Sequence, residues 1–341
     1  MNKRVTLKDI AKHLGVHVST VSRALDPEKQ SNLSADAITR VRDVARELGY
    51  RPNRLAAGLR TRKSMSIGIM IPDITNVIFP PIVRGIENVL EPRGYASILV
   101  NTDNIAEREG RLIQVLRDRG VDGIIHAAVL RDDPTISWAA DEGLAVVTLN
   151  RKVDGHEIPY VINDEEDGIR MIVDHLYQLG HRRIAKIAGP QDLSTGLLRY
   201  EAFLQTTKEY GLTADPDLIE VAQQFEEEEG RKSARRLLDK GKPFTAVICA
   251  NDRLALGALN ALQESGLQCP DDVSLTGFND MPFLDLIPPG LTTIRIRQFR
   301  AGQTCAQRLL DILDQPDRQA VAETILPVEL VLRGSTAAPK S

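Results

Sequence analysis

From Ser64 onward, short apolar runs rich in β-branched residues recur between stretches of helical spacing, and this alternation constrains the fold more than any other feature of the chain. A first series reads Ile67-Gly68-Ile69-Met70-Ile71, Ala96-Ser97-Ile98-Leu99-Val100, Gly123-Ile124-Ile125 and Ala145-Val146-Val147-Thr148-Leu149. After the acidic stretch from Asn163 to Gly168 a second series follows: Ile184 to Ile187, Ala246 to Ala250 and Val273 to Phe278. Strands that are apolar at successive positions bury both faces, so each series predicts a doubly wound parallel sheet with helices on both sides. Apolar spacing places helices over 82–90, 110–116, 168–179, 200–210 and 254–262. Two similar α/β lobes are the consequence. Open parallel sheets bind ligands at the carboxyl ends of their strands, so two facing lobes predict a cleft between those edges.

The 63 residues before this region read differently. They hold 14 lysines and arginines against 6 acids, a net of +8 in a chain whose total is -4, so the remaining 278 residues carry -12. So dense a basic excess in one small unit suits a phosphate backbone. Leu7, Ile10, Ala11 and Leu14 share a helix face after Thr6 as N-cap, and Gly15 stops that helix. Val16 is expected to plug the turn, and 17–25 forms a second short helix with Val21, Ala24 and Leu25 inward. A third helix is written over 34–48 by Ile38, Val41, Val44, Ala45 and Leu48, ending at Gly49. Together these form an all-α helix-turn-helix headpiece, whose second helix can enter a major groove.

Val5-Thr6-Leu7-Lys8-Asp9-Ile10-Ala11, Gly15-Val16, Ser19-Thr20-Val21-Ser22-Arg23-Ala24-Leu25 and Gly49-Tyr50-Arg51-Pro52-Asn53 resemble the lactose-repressor/galactose-repressor (LacI/GalR) family of bacterial transcriptional regulators, and the likeness runs through nearly the whole chain. The resemblance implies a DNA-binding headpiece over 1–50, a hinge helix over 51–63, and an effector-binding and dimerisation domain over 64–341 with the periplasmic-binding-protein-like fold. Lobe 1 would span about 64–162 and 296–325, and lobe 2 about 163–295 and 326–336. It places Val18, Ser19 and Arg23 at base edges, with Thr6, His17, Thr20 and Ser22 as further base or phosphate contacts. Arg23 suits bidentate pairing with guanine, Ser19 donates or accepts, and Val18 offers only apolar contact such as a thymine methyl. Relatives in the lactose branch carry Tyr and Gln where Val18 and Ser19 stand, a departure that leaves the outer operator bases open. In the hinge, Asn53, Arg54, Leu59 and Arg60 would contact DNA, with Leu59 as a minor-groove wedge at a central CG step of a palindrome. A helix that short, with Gly58 inside it, folds only on DNA beside a second copy.

The family pattern also marks effector residues: Asp73, Asn76 and Phe79 in the first lobe, and Arg199, Asn251 and Asn279 in the second, with Phe225 and Phe299 as rings to stack on a sugar. Asn279 stands where many relatives carry Asp, which moves the preference away from neutral sugars. His126, Asn150 and Arg151 end strands near the expected cleft. For these three the alternative stays open that they satisfy local backbone or, for Arg151, an ion pair.

No GxxxxGK[ST], GxSxG or HExxH occurs, so no enzyme is signalled, and no metal or cofactor is expected. Cys249, Cys269 and Cys305 stand far apart, which argues against a zinc site or a disulfide framework. The Glu226–Glu229 run reads as a solvated helix start. Without an apolar leader or an 18-residue apolar run, a cytoplasmic protein is expected, at the nucleoid through DNA and with no membrane contact. The polar ending from Gly334 favours a homodimer over a tetramer. The expected function is therefore a repressor of double-stranded operator DNA, controlled by a small sugar-like or sugar-acid-like effector. The competing readings are the same regulator with a protein corepressor, a sugar-binding protein of another role, and a sugar-processing enzyme.

Overall fold

The computed structural model describes residues 5–26, 30, 33–50, 63–315 and 322–340. Two compact units emerge, Met1–Ser64 and Met65–Ser341. In the first, α1 (Leu7–Leu14), α2 (Val18–Leu25) and α3 (Ala35–Glu47) close on Ile10, Ala11, Val21, Ala24, Val41 and Ala45. The backbone N–H and hydroxyl of Thr6 both donate to the Asp9 carboxylate, at 2.8 and 2.7 Å, which fixes the start of α1. Gly15 ends that helix at φ 66°, where only glycine is unstrained, and the N–H of Val16 returns to the carbonyl of Ala11. Val16 does not plug the turn as its apolar character suggested. Its N–H closes the helix end while its side chain remains 39 % exposed. Ser34 caps α3 by accepting from the N–H of Ala37.

The second unit holds two parallel sheets. Sheet one has the order β11-β5-β4-β3-β1-β2, from β1 (Ser66–Ile71), β2 (Ala96–Asn101), β3 (Gly123–His126), β4 (Ala145–Leu149), β5 (Tyr160–Asn163) and β11 (Glu323–Leu326). On one face lie α4 (Phe79–Leu90) and α11 (Gln298–Asp314), on the other α5 (Ala106–Asp118) and α6 (Pro134–Asp141). Sheet two has the order β7-β6-β8-β9, from β6 (Ile184–Ala188), β7 (Ile219–Val221), β8 (Ala246–Cys249) and β9 (Ser274–Thr276). Here α7 (Glu165–Gln178) and α8 (Ser194–Glu209) cover one face, and α9 (Glu227–Asp239) and α10 (Asp252–Glu264) the other. The short strands β5, β7, β10 (Thr293–Arg295), β11 and β12 (Glu329–Val331) add to the seven read from the sequence. No helix among the described residues is long and apolar enough to cross a membrane.

The chain crosses between lobes three times: after β5, before α11, and after β11. The late segment completes both lobes. A Cβ on Gly302 would fall 2.1 Å from the carbonyl oxygen of Ile82, so α11 docks on α4 backbone to backbone. Strand β11 then supplies the outermost rung of sheet one beside β5. Past β12, Ser335 exchanges hydrogen bonds with Leu275 and the N–H of Ala337 reaches Ser274, closing the β9 edge of sheet two.

Candidate DNA-reading helix and ligand cleft

On the headpiece, His17 is the N-cap of α2 rather than its first turn: its Nδ1 accepts from the N–H of Ser19 at 3.2 Å and lies 2.8 Å from the Ser19 hydroxyl. Arg23 is exposed, whereas Ser19, Thr20 and Ser22 are half-buried and Thr6 sits at the start of α1 with its hydroxyl held by Asp9. Val18 is also half-buried and packs on the headpiece core, so its methyls are partly occupied. The hinge residues Asn53, Arg54, Leu59 and Arg60 lie outside the described residues.

Between the lobes of the second unit lies a cavity of about 500 Å³. Asp73, Asn76, Phe79, Asn150 and Arg151 come to its wall from the first lobe, and Arg199, Phe225, Asn251 and Asn279 from the second. All follow strands or open helices, as the carboxyl-edge rule requires. The Asp73 carboxylate accepts from the N–H and hydroxyl of Thr75 at 2.8 and 2.6 Å, tightening the loop that presents Asn76. Asn251 caps α10 by accepting from the N–H of Leu254 at 2.8 Å. Phe225 stands over Gly189, where a Cβ would fall 2.4 Å from its ring, so only glycine leaves room for the ring at the cavity wall.

Arg199 is buried, with its guanidinium 3.7 Å above the ring of Phe278. Its Nε donates to Glu165 at 2.5 Å and one Nη to the carbonyl of Ala250 at 2.6 Å. Burial pushes the Glu165 carboxyl up, and the adjacent guanidinium pulls against that push. Arg151 is buried too, and donates from Nη1 to the side-chain oxygen of Asn104 and the carbonyl of Ala128, at 3.3 and 3.2 Å. Burial draws its pKa down to about 10.

Two expected ligands do not reach the cavity. His126 ends β3 fully buried, with Nδ1 accepting from the N–H of Ala128 at 3.1 Å and Nε2 3.0 Å from Glu109. It satisfies its own surroundings instead of facing a ligand. Phe299 opens α11 with its ring in solvent and its backbone against Gly85, so it stacks on nothing in the cleft. The acidic run is also more than a solvated helix start. Glu227 takes a forked grip on Arg253 at 2.8–3.0 Å, and Glu226 lines the cavity.

The cavity wall also includes Asp103, Asn104, Thr195, Gln223, Gln224 and Arg253, which the sequence reading missed. Arg253 stands two residues after the capping Asn251, and Asp103 and Asn104 follow β2 at φ 55° and 54°; strand-end position was the available signal for all three. Several contacts join the lobes. The side chain of Arg131 donates to the carbonyl of Gln191 at 3.0 Å, the N–H of Lys152 to the hydroxyl of Ser194 at 3.0 Å, and Arg253 stands 3.7 Å from Asp73. Among the described residues Glu109, His126 and Asp133 are close enough to share a metal ion. The Ala128 hydrogen bond, however, holds the Nδ1 lone pair and leaves the proton on Nε2, so the ring donates to Glu109 and offers no lone pair to a cation.

Comparison with known proteins agrees with this architecture. Residues 6–53 match the model of bacterial regulatory proteins of the lacI family, and residues 173–336 that of a periplasmic binding protein-like domain. The chain is 32% identical to the HTH-type transcriptional regulator RegA of Clostridium saccharobutylicum, over 97% of this chain and 99% of the relative. It is likewise 32% identical to the ribose operon repressor of Halalkalibacterium halodurans, over 97% of both. The crystal structure of the lac repressor dimer bound to operator and the anti-inducer ONPF superposes with a TM-score of 0.87 at 30% identity, covering 98% of this chain and 100% of that one.

Proposed function

The chain belongs to the LacI family of bacterial regulatory proteins, and from that premise we propose that it is a repressor that binds a palindromic operator as a homodimer and changes its grip when a small metabolite fills the interlobe cleft. It is a transcriptional regulator rather than an enzyme, as its full-length relatives are. The observation that carries the proposal is the union, in one chain, of a basic helix-turn-helix unit with a two-lobed unit whose cavity is lined by Asp, Asn and Arg side chains. Ser19, Thr20, Ser22 and Arg23 are the proposed readers on α2, with His17 and Thr6 beside phosphate and Val18 making a reduced apolar contact. Asn53, Arg54, Leu59 and Arg60 are the proposed hinge contacts.

A dimer gives two headpieces and hence a palindrome. Exposed apolar side chains available for it are Ile74, Val77, Phe283, Leu286 and Phe299, with Phe283 and Leu286 at 70 % and 71 %, and Val77 and Phe283 line one surface pocket. Ligand acts by population shift: it favours one angle between the lobes and so one separation of the paired hinge segments. Asp73, Asn76, Phe79, Asn150, Arg151, Arg199, Phe225, Asn251 and Asn279 are its proposed contacts. Selection of binders from a random DNA pool tests the first half of the proposal. Two-fold symmetric sites are expected, and recovery of asymmetric or sequence-indifferent DNA would sink it.

A further inference from the structure

Among the described residues three guanidinium groups reach the cleft, and they differ in what balances them. Arg199 is hydrogen-bonded to Glu165, and Arg253 to Glu227 with Asp73 nearby. Among the described residues Arg151 touches no carboxylate: its contacts are the neutral oxygens of Asn104 and Ala128, both on Nη1, and its buried Nε has no hydrogen-bond partner. Glu109 is a buried acid that attracts Arg151, and it is already engaged by His126 and by Asp133. Asp192, which also attracts Arg151, and Glu226 are exposed among the lining residues, where water solvates them. Asp103 is taken by Arg108.

A buried cation without an anion in contact is costly, and a charge-assisted hydrogen bond is the strongest remedy available to it. At a cavity wall the anion can come from outside. Resting on the cleft as the effector site, we propose that the effector is a polyhydroxy acid whose carboxylate or phosphate seats against the guanidinium of Arg151. The exposed acids Asp192 and Glu226 on the same lining accept from hydroxyls, which suits the polyhydroxy part of the effector.

The test is calorimetry and thermal shift on the full-length protein with gluconate, glucuronate, galacturonate, glucose 6-phosphate and galactose 6-phosphate, each beside its neutral parent sugar. At least one acid is expected to bind about tenfold or more tighter than its parent, the scale of one charge-assisted hydrogen bond. The carboxylate and phosphate arms tell the two sources of the anion apart. Arg151→Gln, checked for fold by circular dichroism, is expected to erase the preference, and Arg151→Lys to keep part of it. The acid-against-parent comparison on the unaltered protein stands even where a variant does not fold. The proposal is overturned by a parent sugar that binds as tightly as its acid, by acid binding indifferent to Arg151→Gln, or by silence from every acid. Phe225→Ala separates this failure from failure of the cleft itself. Neutral-sugar binding lost in Phe225→Ala but kept in Arg151→Gln leaves the cleft standing without the acid, while binding indifferent to Phe225→Ala removes the cleft.

Discussion

The two lobes share an architecture but treat a buried arginine in opposite ways. In the second lobe Arg199 has its own carboxylate at 2.5 Å, an aromatic ring beneath it and a backbone carbonyl beside it. In the first lobe Arg151 has two neutral oxygens and an Nε left over. Arg199 is thus held as part of the wall, rigid before any ligand arrives, whereas Arg151 is held in place but left electrically incomplete. One lobe supplies shape and the other supplies demand. The second lobe also holds a third kind of buried cation, Lys186 on β6, whose Nζ has no hydrogen-bond partner and which does not line the cavity. Burial draws its pKa down to about 7, so the cost of burying this charge is met by a weakened hold on the proton.

The sharpest way to break this comparison is Glu165→Ala, which strands Arg199 unpaired inside the second lobe. Urea unfolding is expected to show a loss of about 3–5 kcal/mol, the scale of a broken buried ion pair. A loss below about 1 kcal/mol would mean that Arg199 does not depend on its partner.

Next is Lys186→Met, which removes a buried amine that has no hydrogen-bond partner and only the Phe203 ring at 5.6 Å, and is expected to stabilise the protein by about 1–3 kcal/mol at pH 7. The pH dependence carries a definite sign. Between about 7 and the ordinary lysine value the unfolded chain holds a proton that the folded chain lacks, so wild-type stability rises with pH across that window. The contribution approaches about 1.4 kcal/mol per unit, and the variant should lose that slope. Equal slopes in the two proteins would show Lys186 to be charged and solvated.

The smallest effect on stability is expected from Arg253→Ala, at under about 1 kcal/mol, because that pair is partly exposed. Its consequence should lie in ligand binding. With the contact towards Asp73 gone, the closed arrangement is less favoured and ligand affinity should change several-fold. Unchanged affinity by calorimetry would take Arg253 out of lobe closure.

What could be read beforehand divides along physical lines. Strands buried on both faces, such as Ala246–Cys249, announce themselves as continuous apolar runs. Strands without such a run are harder to see: β11 presents Thr324 and Ile325 to a half-solvated edge, and β7 reads Ile219-Glu220-Val221, broken by a charge. In the cleft, strand-end position found Asn150 and Arg151, but the same rule also selected His126, because direction along a strand does not reveal which layer a side chain enters. Glu109, seventeen residues before His126 and on α5, is what claims His126. The balance of charge around each arginine was likewise illegible, since Glu165 and Arg199 are brought together only by the packing of α7 on α8.

The late crossing that finishes both lobes also sets an order of events during synthesis. The three headpiece helices make their core within the first 64 residues, whereas sheet one waits for β11 and sheet two for the strand-edge contacts of Ser335 and Ala337. At bacterial elongation rates the intervening chain takes roughly 15–55 s to emerge. The helix-turn-helix unit can therefore be complete well before either sheet of the second unit is, and each new molecule passes through an interval with one finished unit and one unfinished.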